Sequence, residues 1–123
     1  GTVIDNVRFG RDLPPGAVDG ILRELGLGEF SRGGAREHEV IAPDRGGVSV
    51  GEGRRVALAR ALADESSRIV VLDEPTAGMD ANLRDQVWRI IESRAERCVV
   101  VVATHDPQAP IRDDDPAVTL PED

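Results

Sequence analysis

The chain reads as an α/β domain whose second half sets parallel strands around a helix. Three observations lead there. Apolar runs at Ile69–Leu72 and Val99–Ala103 flank a helical pattern over Ala81–Ala95, an order that calls for parallel strands and a right-handed crossover. In the first half, Val18, Ile21, Leu22 and Leu25 recur at i, i+3, i+4 and i+7, the spacing of an amphipathic helix. Finally, Asp73-Glu74 closes the first run and Thr104-His105 follows the second. Ligands of open parallel sheets bind beyond the carboxyl ends of the strands.

Thr2–Phe9 predicts a short helical turn with Val3, Ile4 and Val7 on one side. Pro14-Pro15 suits the first turn of the amphipathic helix, and Gly26 is placed to end it in a left-handed conformation. Gly28 to Gly47 is irregular, with Gly33-Gly34 and Gly46-Gly47 marking turns and Glu39–Ala42 extended. Gly53–Asp64, rich in Ala, Leu and Arg, predicts a helix. Both valine-rich runs are continuous rather than alternating, which predicts strands buried on both faces. Leu83, Val87, Ile90 and Ile91 point inward from the Ala81–Ala95 helix, and Ala117–Leu120 is a third candidate strand.

A chain of 123 residues is about one domain. Its net charge of −8 and lack of a basic stripe argue against general nucleic-acid binding; solubility accounts for most of the acidity. Cys98 is the lone cysteine, so no disulfide framework or cysteine metal site is expected. The longest apolar run, Cys98–Ala103, is far too short to span a bilayer.

The residues with chemical potential cluster at the strand ends. Asp73 suits Mg²⁺, a hard cation that prefers oxygen. Glu74 suits polarising an attacking water in phosphoryl transfer. His105 suits donation to a terminal phosphate or orientation of that water. Ser49 and Gly51 precede a helix, where free N–H groups and the helix dipole favour an anion; Ser49 as a plain N-cap is locally indistinguishable. Asp80 has the same bland alternative as N-cap of the next helix. Arg54, Arg55 and Arg60 fit a solvated helix face, His38 the surface, and Trp88 and Met79 packing. All fifteen basic residues are arginine, so the phosphate-cradling loop G-x-x-x-x-G-K-[ST] is absent.

Taken together, these blocks resemble the nucleotide-binding domain of ATP-binding cassette (ABC) transporters. Ser49-Val50-Gly51-Glu52 and the following Arg55–Leu62 are similar to the signature turn, usually LSGGQ, and its helix. Ile69–Glu74 resembles the Walker B strand with its glutamate, Ala77–Asp80 the D-loop, and Thr104-His105-Asp106 the switch histidine. Gly1–Gly10 and Asp44-Arg45-Gly46 resemble exporter segments after the Q-loop and before the signature.

The resemblance implies a partial P-loop NTPase (RecA-like) core plus the ABC α-helical subdomain. Residues 1–64 would form the helical subdomain with the signature motif, and 65–123 the C-terminal part of the catalytic core. It implies an exporter fragment at the cytoplasmic face of the cell membrane that lacks Walker A and Q-loop and uses ATP and Mg²⁺. Its partners would be a second nucleotide-binding domain and the transporter's membrane domains, with no nucleic acid. Asp73, Glu74 and His105 would serve the chain's own nucleotide; Ser49, Val50, Gly51, Glu52 and Asp80 would serve the partner's. The exposed sheet edge of so few strands is open to pairing with another copy. Two departures stand out: Val50 replaces the first signature glycine and Glu52 the usual glutamine. The spacing from Arg45-Gly46 to Ser49 is also about one residue shorter than the family form. A β-branched residue at position 50 should crowd the phosphate and weaken the site. The alternatives are a non-transport ABC ATPase and a catalytically inactive interaction module.

Overall fold

The computed structural model describes residues 1–14, 16–42 and 46–110. Helix α1 (Val3–Arg8) opens with a reciprocal cap: Asp5 N–H donates to Thr2 Oγ1 and Thr2 N–H to Asp5 Oδ2. Helix α2 (Ala17–Glu24) buries Val18, Ile21 and Leu22. Gly26 follows it with φ of 71°, the expected left-handed stop. A single 3₁₀ turn, Gly28–Phe30, then drops Phe30 into the core.

Helix α3 spans Val50–Leu62, starting three residues before the predicted Gly53. Ser49 and Glu52 cap it reciprocally, so the turn is helical from its first residue. Strands β1 (Ile69–Asp73) and β2 (Val99–Ala103) pair in parallel with Ile69 opposite Val99 and Asp73 opposite Ala103. Helix α4 (Ala81–Ala95) connects them, capped by Asp80 Oδ1 on Leu83 N–H at 2.8 Å. The extended stretch predicted at Glu39–Ala42 shows as two isolated bridges, Val40 to Thr2 and Ala42 to Gly46. Pro15, Asp44-Arg45 and the expected Ala117–Leu120 strand lie outside the described residues.

Burial on both strand faces is corrected. Val70 and Leu72 join the core, but Ile69 and Val71 are 64% and 69% exposed. Along β2, Val99 and Val101 are exposed and Val100 and Val102 half-buried. Within this chain, one face of the sheet is covered and the other is open. The core continues from Val3 and Val7 through Leu22, Leu25, Leu27 and Phe30 to Leu62, Val70, Val87 and Ile91. Each fully buried side chain of this kind contributes about 1.5–3 kcal/mol.

Arg54 is exposed as expected, but the expectation for Arg55 and Arg60 is corrected. Arg55 Nη1 donates to the carbonyls of Leu25 and Gly26, and Arg60 Nε to Asn6 O while its guanidinium lies over Phe9. They tie α3 to α1 and α2 rather than only solvating an outer face. Buried Arg94 on α4 donates to Leu62 O and Asp64 O, satisfying the carbonyl end of α3.

Candidate functional site

Glu74 sits one residue past β1 with φ of 46°, a left-handed conformation uncommon for a non-glycine residue. Its N–H donates to Ala103 O at 2.7 Å, extending the ladder by one bond. That carries the carboxylate over the end of β2. There Oε1 accepts from His105 N–H at 3.1 Å and contacts His105 Nδ1 at 2.5 Å, and Thr104 Oγ1 donates to Oε2 at 3.4 Å. A carboxylate can only accept, so Nδ1 carries the proton. The neutral ring then presents Nε2 as an acceptor, and the imidazolium presents it as a second donor. The His105 bond, first among the causes, holds the Glu74 carboxyl below its ordinary range. Parallel pairing puts both strand ends on one edge, as the sequence predicts, and there brings two residues 31 positions apart into direct contact.

Asp73 ends β1 with its side chain exposed beside Glu74. A cleft of about 480 Å³ runs along Asp73, Glu74, Pro75 and Ala77 on one wall and Arg54, Ala57 and Leu58 of α3 on the other. The larger cleft of about 920 Å³, lined by residues such as Asp12, Asp64, Arg89 and Arg97, holds none of Asp73, Glu74 or His105.

Asp106, which the sequence offers only as the last residue of Thr104-His105-Asp106, joins both turns. Its Oδ2 accepts from Thr76 Oγ1 and Trp88 Nε1, each at 2.9 Å, and its Oδ1 from Gln108 N–H at 2.9 Å. Arg84 Nε lies 3.9 Å away. One nearly buried carboxylate therefore fixes the Pro75–Asp80 turn, the His105 turn and α4 to one another. The Gln108 amide, then Trp88, hold its carboxyl below the ordinary range.

The Ser49–Glu52 turn is a second, separate feature. Among the described residues, no hydrogen bond or ion pair joins it to Asp73, Glu74 or His105. Ser49 Oγ accepts from Glu52 N–H at 3.1 Å and Glu52 Oε1 from Ser49 N–H at 2.9 Å. Of the donors a helix start leaves open, those of Val50 and Gly51 remain. Space around Gly51 is empty: a Cβ there would meet nothing within 4 Å. Val50 stands 79% exposed at the first helical position. Behind the turn, Arg36 donates to Glu52, to Glu39 and to Gly47 O. Glu39 first, and Glu52 with it, raise the Arg36 pKa further above its ordinary value. The irregular segment that carries Arg36 gave no periodic signal for this role.

An acid-stability prediction follows from these carboxylates. Glu74, Asp106 and Asp64, the last through Ser66, all have lowered folded-state pKa values. The unfolded chain binds protons first as pH falls, so their contribution is complete above the ordinary carboxylate range. It is lost as pH falls through the lowered values. The melting temperature should be flat above about pH 5 and fall below about pH 4. A midpoint unchanged down to about pH 3 would contradict these pairings.

A family model described as ABC transporter matches residues 5–77. The chain is 35% identical over 101 residues to a probable anion import ATP-binding protein of Haloferax volcanii, covering 81% of this chain and 31% of that protein. It is 39% identical over 93 residues to a macrolide export ATP-binding/permease protein of Paracoccus denitrificans, covering 75% of this chain and 12% of that protein. The chain thus spans about a third or less of the length of these relatives. Among solved structures, a bacterial Atm1-family ABC exporter with ATP bound matches with a TM-score of 0.68 at 24% identity. That match covers 85% of this chain and 18% of the exporter chain and speaks to the fold.

Proposed function

The chain belongs to the ABC transporter family, and from that premise we propose that it is part of the ATP-binding and ATP-hydrolysing domain of an exporter. Residues 1–64 would carry the helical subdomain with the signature turn, and 65–123 the Walker B strand, D-loop and switch histidine. The observation that best supports the reading is the Glu74–His105 contact at adjacent parallel strand ends. The exporter assignment leans on the resemblance of Gly1–Gly10 and Asp44–Gly46; the relatives' names include both import and export.

Mg²⁺ fits the residues in the sparse way this cation accepts, through one or two carboxylates with phosphate oxygens and water completing its shell. Asp73 is exposed and offers one such carboxylate, while no group of three or more His, Cys, Asp or Glu side chains surrounds it among the described residues. Bound Mg²⁺ would neutralise phosphate charge. Glu74, kept ionised, is the acceptor for the proton of the attacking water. His105 holds Glu74 through Nδ1 and turns Nε2 outward. The Val50 and Gly51 amides, with Ser49, would face the nucleotide of a second domain, and Asp80 would meet that domain through the capped turn before α4. With no lysine, the chain lacks the phosphate loop and supplies one part of each composite site. No helix among the described residues is long and apolar enough to cross a membrane. As part of a transporter of this family, the domain would couple to membrane domains at the cytoplasmic face.

The test is ATP-driven dimerisation of the intact nucleotide-binding domain, with Glu74→Gln blocking turnover. ATP should convert monomer to dimer in size-exclusion chromatography; a domain that stays monomeric would contradict the composite site. Val50 supplies a further prediction. Its exposed branched side chain would crowd a phosphate approaching the turn, so Val50→Gly should raise ATP turnover of the intact protein about three- to tenfold. Unchanged turnover would show that Val50 does not obstruct the site.

A further inference from the structure

We propose that Arg36 is a positioning residue that neutralises Glu52 and thereby holds the Ser49–Glu52 turn fit to meet a nucleotide phosphate. The proposal rests on the reading of that turn given above. Glu52 stands where the family form has a neutral glutamine. Unopposed, its carboxylate would place a negative charge beside the Val50 and Gly51 amides and repel the phosphate. The structure gives it a counter-charge from the segment between the 3₁₀ turn and α3.

The geometry uses nearly the whole guanidinium. Nε and Nη2 donate to the two oxygens of Glu39 at 2.7 and 2.9 Å. Nη2 also reaches Gly47 O at 2.8 Å, and Nη1 donates to Glu52 Oε2 at 2.8 Å. The guanidinium lies 4.2 Å over the Phe30 ring, a buried platform. Glu52 divides its oxygens: Oε2 takes Arg36 and Oε1 takes the Ser49 amide. The helix cap and the ion pair thus share one side chain. Exposed ion pairs contribute little on average. The Arg36–Glu52 contact is a single bond, but it belongs to a network whose planar fork grips Glu39, and Arg36 and Glu52 are mostly shielded, at 29% and 19% side-chain exposure. A lysine, with its donors on one nitrogen, cannot span Glu39, Gly47 and Glu52 together.

The experiment is a double-mutant cycle on ATP turnover by the intact protein. Arg36→Met should lower turnover about tenfold when residue 52 is Glu, and less than about threefold in the Glu52→Gln background, where residue 52 itself carries no charge. Arg36→Lys, milder for folding, should fall between wild type and Arg36→Met and show the same dependence on residue 52. If Arg36 only packs on Phe30 and Glu39, both variants will be equally damaging in both backgrounds, and the proposal is overturned. Gly51→Asp separates the underlying reading. A Cβ at Gly51 meets nothing within 4 Å, and an acid in the first helical turn favours the helix, so the main change is charge at the turn. Turnover lost in Gly51→Asp keeps the reading of the turn. Turnover unchanged shows that no phosphate meets the turn and overturns both.

Discussion

Glu74→Gln in the intact protein should lower kcat for ATP hydrolysis by about a hundredfold or more, the scale of a positioned general base. Glutamine keeps the size of the side chain and one carbonyl oxygen for His105 N–H. It removes the negative charge and with it the basicity; with the carbonyl at the Oε1 position, which receives both His105 donors, the amide nitrogen would face Thr104 Oγ1, which can accept. Asp73 and the Ser49–Glu52 turn remain as they are, so KM for ATP should change less than about threefold while kcat and kcat/KM fall together. Phosphate release under single-turnover conditions separates this from slow product release. Turnover within about tenfold of wild type would remove Glu74 from the role of proton acceptor.

Phe30→Ala should cost about 3–5 kcal/mol of folding stability, a large share of the roughly 5–15 kcal/mol that such domains possess. Phe30 is among the largest fully buried side chains, packed in the core with Leu22, Leu25 and Leu27. A Cβ on Gly34 would lie 2.3 Å from Glu29 O, so the chain just after Phe30 packs too closely to admit a side chain there. The loss also removes the ring on which the Arg36 guanidinium rests. Denaturant titration followed by Trp88, the single tryptophan, should show an earlier midpoint. A loss below about 1 kcal/mol would mean that Phe30 is not part of the central packing.

The strand and helix order was legible because apolar spacing reports local geometry. Asp73, Glu74 and His105 were legible because parallel pairing puts both strand ends on one edge. The start of α3 was misplaced because glycines at 51 and 53 weigh against helix locally, whereas the Ser49–Glu52 box outweighs them. The strands read as buried on both faces because valine runs record an environment, and this chain covers only the Val70 and Leu72 face. An open apolar face is what the proposed partial domain entails. Asp106 and Arg36 escaped notice for a common reason. Each acts through partners distant in sequence, Trp88 and Thr76 for one and Glu52 for the other, and no periodicity encodes such pairs.

This chain is proposed to hold parts of two nucleotide sites and to complete neither. Isothermal titration of the 123-residue chain with Mg-ATP tests this most directly. The account predicts no saturable heat, because no lysine-bearing loop wraps the β- and γ-phosphates. A clear saturable isotherm would show that Asp73, Glu74, His105 and the helix starts suffice to bind nucleotide, and would contradict the division of the site.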